Sequence, residues 1–294
     1  HNSHLDLNMK IVNTFISDGG ALPDYVRFSI QKAKETNPDV ELDFICKDDQ
    51  PIFEEFDVNW VPQDELSDGD VLKEFNNVCD FRRHGTPNTS YPSPELFWHR
   101  TCERLYYLDE YLNRERIYDA FHFENDVLVY GDLRDVPTHP LLSLTPMSVD
   151  QVTFAFAHIP TPQHTRHMCL FFNQLLEKGE QWLMQNFGFD HVSEMSLLHV
   201  AHVNNMFCPL PTIPNFNEDH HYIFDPGSYG QYLGGTNNGH GSGFIDQKHM
   251  IGSAMLAEEI NAEFTDRPYV IRMDGERFPI FNLHVHSKNL ERFV

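Results

Sequence analysis

The sequence predicts an α/β protein whose central sheet is mixed, mostly parallel and flanked by helices. The segment KIVNTFIS (residues 10–17) is rich in β-forming residues, a helical pattern follows over residues 25–37, and a second strand-like run covers residues 41–49. A strand–helix–strand unit favours parallel neighbours, because the helix returns the chain to the starting edge of the sheet. The 294 residues, 40% of them hydrophobic, suffice for the core of one large domain.

The remaining elements follow from hydrophobic periodicity and from turn residues. Pro23 suits the first turn of the first helix, where the missing N–H costs nothing. Residues 82–95 are rich in Pro, Ser and Thr and predict a loop. Alternation or helical spacing predicts these further elements: strands over residues 56–62, 117–130, 152–159 and within 267–290, and helices over residues 95–114 and 166–187.

The predicted domain organisation is a single domain with two abutting halves. Three prolines mark the boundary, so we expect one half over residues 9–135 and the other over residues 136–294 (Pro137, Pro140 and Pro146). The first eight residues, HNSHLDLN, precede Met9 and are interpreted as the remnant of a tag.

Composition excludes several classes of protein. The formal charge of −23 opposes nucleic-acid binding through a general basic surface. No apolar run is long enough for a membrane span and no signal-peptide pattern opens the chain, so we expect a soluble protein without an integral membrane segment. The number of cysteines is odd and no CxxC pair occurs, which favours reduced, mostly buried thiols (Cys46, Cys79, Cys102, Cys169 and Cys208).

Three polar residues, Glu124, Asn125 and Asp126, follow the apolar run of a predicted central strand. In an extended segment the two carboxylates lie on one face, with Asn125 on the other. Paired carboxylates at a strand end suit a hard cation such as Mn²⁺ or Mg²⁺. The alternative is an acidic strand end that faces water.

A second group of polar residues lies in LHVHSK near the carboxyl terminus. His284 and His286 share one face of an extended segment, and Lys288 follows them. A neutral imidazole completes the coordination of a carboxylate-bound Mn²⁺, and a lysine neutralises a phosphate. Since the chain has 18 histidines, an unremarkable pair is the alternative.

Taken in order from Lys10 to Lys288, these segments resemble the metal-dependent GT-A glycosyltransferases of the glycogenin and lipopolysaccharide-glycosyltransferase type. ERLYYLDEYLNRERIYDAFHFENDVLVYGDL (residues 103–133) is similar to their arginine-bearing helix and DxD strand, with Glu124 at the first Asp. The resemblance implies a GT-A-like (Rossmann-like) fold. It also implies that Asp126 binds metal, that Glu124 and Asn125 contact the metal or the donor, and that Arg104 reaches the donor.

The closing LHVHSK is similar to the family's final segment, whose His is a metal ligand and whose Lys holds the diphosphate. His284 matches that His by its place after Leu283, and the short spacing to Lys288 keeps His286 as an alternative ligand. By fold analogy, the turn after the first strand, with Thr14 and Ile16, forms the nucleotide-base pocket.

SEMSLL (residues 193–198) stands where relatives carry an acidic residue near the donor sugar. A carboxylate must take the proton of an attacking hydroxyl, and Glu194 is the first candidate, followed by Asp190 and Asp225. The alternative for Glu194 is a place in the first turn of a helix that Ser193 caps.

The glycine-rich stretch from Phe224 to Gly243 has two interpretations. It is either an acceptor loop, in which Tyr229, Tyr232 and Phe244 stack on sugar rings, or a structural excursion.

The sequence therefore predicts a hexosyl- or pentosyltransferase that uses Mn²⁺ or Mg²⁺. Residues 9–135 would bind a UDP- or GDP-linked sugar, and residues 136–294 an oligosaccharide or glycoconjugate acceptor. Inversion is favoured and retention stays open. The alternatives are a sugar- or nucleotide-binding module with little turnover, which Glu124 in place of Asp favours, and a sugar nucleotidyltransferase, although DGGALPD (residues 18–24) lacks the required basic residue. The missing membrane anchor favours a cytoplasmic bacterial or viral enzyme.

Overall fold

The computed structural model describes residues 9–84, 91 and 93–294. The predicted tag remnant, and residues 85–90 and 92 of the predicted loop, lie outside the described residues. Over the described residues, the protein has a seven-stranded, mostly parallel sheet flanked by helices, and the predicted fold class is confirmed.

The strands of the described residues are, in chain order, β1 (Lys10–Phe15), β2 (Glu41–Cys46), β3 (Asn59–Pro62), β4 (Ala120–Phe123), β5 (Val127–Val129), β6 (Leu142–Ser148), β7 (Gln151–Ile159), β8 (Phe207–Pro209), β9 (Ile260–Phe264), β10 (Pro268–Arg272), β11 (Arg277–Pro279) and β12 (Asn282–His284). The α-helices are α1 (Val26–Thr36), α2 (Pro51–Phe56), α3 (Asp70–Val78), α4 (Phe97–Glu115), α5 (Pro162–Lys178), α6 (Glu180–Phe187), α7 (Glu194–Val203), α8 (Ser228–Gly234) and α9 (Met250–Leu256). Short 3-10 helices cover Gln63–Leu66, Phe81–His84, Pro94–Leu96, Leu133–Asp135 and Leu290–Phe293.

The large sheet has the strand order β3-β2-β1-β4-β7-β6-β8. β1 pairs in parallel with β2 and with β4, and β7 pairs antiparallel with β4 and β6. The carboxyl ends of β1, β2 and β4 therefore meet at one edge, which is where ligands bind in open α/β sheets. Three antiparallel strands, β11-β10-β9, form a second sheet, and β12 pairs with β5 in a third.

Two predicted elements are interrupted. The strand predicted over residues 117–130 is split into β4 and β5, and Glu124, Asn125 and Asp126 form the turn between them. Val127 N donates to Glu124 O at 3.1 Å, so this turn carries the chain from the large sheet to the small one. The helix predicted over residues 166–187 is likewise two helices, because Gly179 has a φ of 93° and ends α5.

The core crosses the predicted boundary between the two halves. β4 pairs with β7, and Phe121, Phe156 and Phe281 belong to one buried apolar cluster. The two halves thus share the central sheet, and the division at residue 135 stays a prediction. The five cysteines are unpaired thiols, four of them buried. No helix within the described ranges is both long enough and apolar enough to cross a bilayer.

Candidate active site

A cavity of about 490 Å³ opens at the carboxyl ends of β1 and β4. Ten of the residues that the sequence predicts as site residues line it, although they come from segments far apart in the chain. They are Thr14, Ile16, Arg104, Glu124, Asn125, Asp126, Glu194, His284, His286 and Lys288.

Two carboxylates and an imidazole form a compact cluster in this cavity. His284 Nε2 lies 3.1 Å from Glu124 Oε2 and 3.1 Å from Asp126 Oδ1. One ligand atom from each residue lies within 4.8 Å of the other two. Lys288 Nζ donates to Asp126 Oδ2, and the His286 ring centre is 4.3 Å from that of His284. Three side chains that could hold a cation and the ammonium group of Lys288 thus lie next to one another.

The pairing of β5 with β12 creates the cluster. His284 pairs with Val127, one residue after Asp126, and Val285 N donates to Asp126 O at 2.8 Å. Helix α8 packs directly against β12, since a Cβ on Gly230 would lie 1.6 Å from His284 O. Only glycine permits this approach of helix to strand.

The residues fit a divalent cation. Burial opposes the charged form of Glu124, yet the charges of Arg104 and His284 lower its pKa to about 2. Burial also opposes ionisation of Asp126, yet His284 and Lys288 hold its pKa well below the ordinary value. Two carboxylates that are ionised at neutral pH and one imidazole nitrogen are donors that suit Mn²⁺ or Mg²⁺.

The two histidines differ in their protonation. Burial disfavours the imidazolium of His284, but Asp126 and Glu124 raise its pKa well above the ordinary value. Burial and the charge of His284 lower the pKa of His286 to about 3. A cation between the carboxylates would replace the proton on His284 Nε2, because both occupy the same position.

Arg104 joins the cluster to Glu194. Its Nη2 donates to Glu124 Oε1 at 2.8 Å and to Glu194 Oε1 at 2.9 Å. Burial raises the pKa of Glu194 to about 7, although Arg104 opposes this shift. The helix-start interpretation also holds for this segment, since Ser193 caps α7 in a capping box with Ser196. Glu194 therefore begins a helix and also presents its carboxylate to the cavity.

The other two candidates for a base do not line the cavity. Asp190 is exposed. Asp225 is completely buried, and its carboxylate accepts four backbone N–H groups at 2.8 to 3.0 Å (Gly227, Tyr229, Gly230 and His284). Because these bonds fix the turn before α8 against β12, Asp225 is a structural carboxylate that positions the site, and its predicted role as a base is wrong.

The sequence interpretation missed several lining residues. The rings of Phe15, Tyr91, Phe97 and Trp98 are in successive contact, with centre distances of 5.8, 6.1 and 5.1 Å. A period-3.6 pattern indicates which face of a helix is buried, and it does not distinguish a core aromatic from one that faces a cavity.

The predicted stacking residues of the glycine-rich stretch are not in the cavity. Tyr229 is wholly buried and donates to Thr212 O at 2.5 Å, so the interpretation that Tyr229 stacks on a sugar ring is wrong. Tyr232 and Phe244 are not among the lining residues. Gln231 and Asn237 of the same stretch, and Asp246 just after it, do line the cavity.

No protein-family model and no curated protein sequence match the chain. The solved structures that are similar in part include the following three. PaToxG glycosyltransferase is 10% identical over 68% of this chain and 69% of its own, with a TM-score of 0.40. The galactosyltransferase LgtC, in complex with donor and acceptor sugar analogs, is 14% identical over 69% and 74%, with a TM-score of 0.42. The glycosyltransferase GlyE of Streptococcus pneumoniae TIGR4 is 8% identical over 69% and 45%, with a TM-score of 0.34.

Proposed function

We propose that the protein is a glycosyltransferase that moves a sugar from a nucleoside diphosphate to a glycan hydroxyl. One observation carries the proposal. Three side chains that could hold a cation, a lysine beside them and a buried carboxylate with a pKa of about 7 share one cavity at the carboxyl edge of parallel strands.

Glu124, Asp126 and His284 would hold Mn²⁺ or Mg²⁺. When bound, the ion supplies positive charge next to the diphosphate, where negative charge develops as the sugar leaves. Lys288 already contacts Asp126. Its ammonium group would bind a phosphate oxygen of the donor in place of that carboxylate. This arrangement answers the main chemical difficulty of the reaction, which is stabilising the leaving group.

The nucleoside end of the donor fits the other side of the cluster. Thr14 and Ile16 lie at the end of β1, and the aromatic rings of Tyr91 and Phe97 line the same cavity. Thr14 Oγ1 is buried and has no hydrogen-bond partner among the described residues. An unsatisfied hydroxyl beside aromatic rings suits a planar, polar base.

Glu194 receives the proton of the acceptor hydroxyl. Because its pKa is about 7, the carboxylate is available as a base at neutral and alkaline pH. Arg104 holds this carboxylate and that of Glu124 at fixed positions. In-line attack by the activated hydroxyl on the anomeric carbon gives inversion.

Calorimetric titration with UDP and GDP, with and without Mn²⁺, tests the proposal. We expect one diphosphate to bind in a Mn²⁺-dependent manner, and Asp126→Asn to abolish the metal dependence. Glu259→Gln, at an exposed carboxylate outside the cavity, is the control and keeps wild-type binding. Binding of neither diphosphate would contradict the proposal. Mn²⁺-dependent binding without hydrolysis or transfer of any sugar nucleotide would favour the binding-module alternative.

A further inference from the structure

A second group of polar side chains lines the cavity outside the cation cluster. This polar wall consists of Gln151, Gln231, Asn237, Asp246 and His249. Its members come from β7, α8 and the segment between α8 and α9. None of them belongs to the donor site described above, so the wall needs a function of its own.

A side-chain hydrogen bond, a contact between imidazole and carboxylate, and a backbone bridge hold one part of the wall in place. Ser228 Oγ lies 2.9 Å from His249 Nδ1, which ties α8 to the start of α9. His249 Nε2 lies 3.4 Å from Asp246 Oδ2, and the backbone of His249 forms a β-bridge with Ser148 at the end of β6. His249 is buried and both of its ring nitrogens have neighbours, so it orients Asp246 and leaves contact with a ligand to the carboxylate.

The wall adjoins the cation cluster through α8. Gly227 immediately precedes Ser228, and a Cβ on Gly227 would lie 3.1 Å from His286 Nε2 and 3.3 Å from His284 Nδ1. A ligand on the wall is thus close to the site where the sugar–phosphate bond would break.

The chemistry of the wall suits a neutral, hydroxyl-rich ligand. Its side chains are three amides, one imidazole and one carboxylate, and neither lysine nor arginine is among them. The Oε1 atom of Gln231 is buried without a hydrogen-bond partner among the described residues, so this acceptor still lacks a donor. Hydroxyl groups would satisfy it, whereas the carboxylate of Asp246 would repel an anionic ligand.

We propose that the polar wall binds the acceptor, a neutral saccharide, and that Asp246, oriented by His249, accepts hydrogen bonds from its hydroxyl groups. This inference rests on the proposed function, since it assigns the second substrate of the same cavity. Asp246 is a specificity-determining residue in this account, and Glu194 keeps the role of base.

Saturation-transfer NMR tests the inference in the presence of Mn²⁺ and whichever of UDP or GDP binds. The probes are methyl β-galactoside, methyl α-glucoside and lactose, each compared with the corresponding uronate or a sialylated form. We expect at least one neutral probe to bind wild type and Asp246→Asn to weaken this binding about tenfold or more, because the hydrogen-bond acceptor loses its charge. The uronates should bind wild type less well than the neutral probes, and Asp246→Asn should narrow this difference.

Two further variants separate positioning from general damage. Ser228→Ala removes the partner of His249 Nδ1. It should weaken binding of the neutral probe less than Asp246→Asn does. Glu259→Gln should leave it unchanged. Three results would overturn the inference. A neutral probe could bind Asp246→Asn and wild type equally, or the uronates could bind wild type as well as the neutral probes do. The third is that no probe binds although the diphosphate does. Failure of the diphosphate itself to bind contradicts the proposed function instead.

Discussion

The buried arginine between two carboxylates provides a quantitative test of the site. Arg104 donates to Glu124 at 2.8 Å and to Glu194 at 2.9 Å, and the side chains of Arg104 and Glu194 are only 12% and 6% exposed. Arg104→Met leaves the buried carboxylate of Glu194 without its partner, while Glu124, which is partly exposed, keeps its contact with His284. Breaking a buried ion pair in this way costs about 3–5 kcal/mol of unfolding free energy.

For a chain of 294 residues, this loss corresponds to a fall in melting temperature of about 5–8 °C. Thermal and urea unfolding, followed by circular dichroism at neutral pH without divalent metal, measures it. Arg277→Met is the matched control, because Arg277 pairs with Glu263 at 2.8 Å on the surface and its side chain is 46% exposed. We expect the control to lose no more than about 1 kcal/mol.

The double variant Arg104→Met, Glu194→Gln refines the test. It also removes the carboxylate that Arg104→Met leaves buried without a partner, so it should be more stable than Arg104→Met alone. Equal losses for Arg104→Met and Arg277→Met would refute the reasoning, since the buried network would then contribute no more than a surface pair.

Three further predictions concern catalysis, packing and pH. Glu194→Gln should reduce sugar transfer about 100- to 10,000-fold with unchanged diphosphate binding, and the wild-type rate should rise with pH through about 7, where the base ionises. Gly230→Ala should abolish Mn²⁺-dependent binding and lower stability by about 1–3 kcal/mol, because its Cβ would clash with His284 O. Burial and the charge of Arg104 lower the pKa of His122 to about 3, so the unfolded chain binds a proton below its ordinary value of 6.5 while the folded chain does not. Stability from this group is therefore present above pH 6.5 and is lost as pH falls towards 3, and His122→Gln should remove that part of the slope in urea unfolding.

Each of these predictions has a matched control. Glu259→Gln should keep the wild-type transfer rate. Gly241→Ala should be neutral, because nothing lies within 4 Å of a Cβ there. His167→Gln changes an exposed imidazole and should keep the wild-type slope. The prediction for Glu194 is contradicted if Glu194→Gln keeps the wild-type pH–rate profile, and that for Gly230 if Gly230→Ala binds the diphosphate as wild type does. The prediction for His122 is contradicted if His122→Gln and His167→Gln show equal slopes of stability against pH.

Chemistry that depends on residue type and short spacing could be predicted from the sequence. Glu124, Asp126 and His284 form a cluster that could hold a cation, and Lys288 contacts Asp126. That Glu124, Asp126, His284 and Lys288 share one site was implied by the resemblance to the glycosyltransferase family, whereas the pairing of β5 with β12, which brings His284 next to Asp126, has no local signal in the sequence. The metal itself and the roles of these residues stay predictions.

Features that depend on long-range pairing could not be predicted. Asp225 is a carboxylate and therefore a candidate base by residue type. Its partners, however, are backbone groups that only the packing of α8 on β12 brings together. His249 reaches the cavity through a bridge to Ser148, about a hundred residues earlier in the chain, and no local pattern encodes it.

Gly179 was a visible signal for the break between α5 and α6, since glycine after lysine commonly ends a helix.

Anomalous diffraction at the manganese edge, from crystals soaked with Mn²⁺ and the diphosphate that binds, tests the central claim most directly. We predict one strong peak coordinated by Glu124, Asp126 and His284, with the diphosphate on the same ion and next to Lys288. No peak in the cavity, or a peak whose ligands do not include Asp126, would contradict the account.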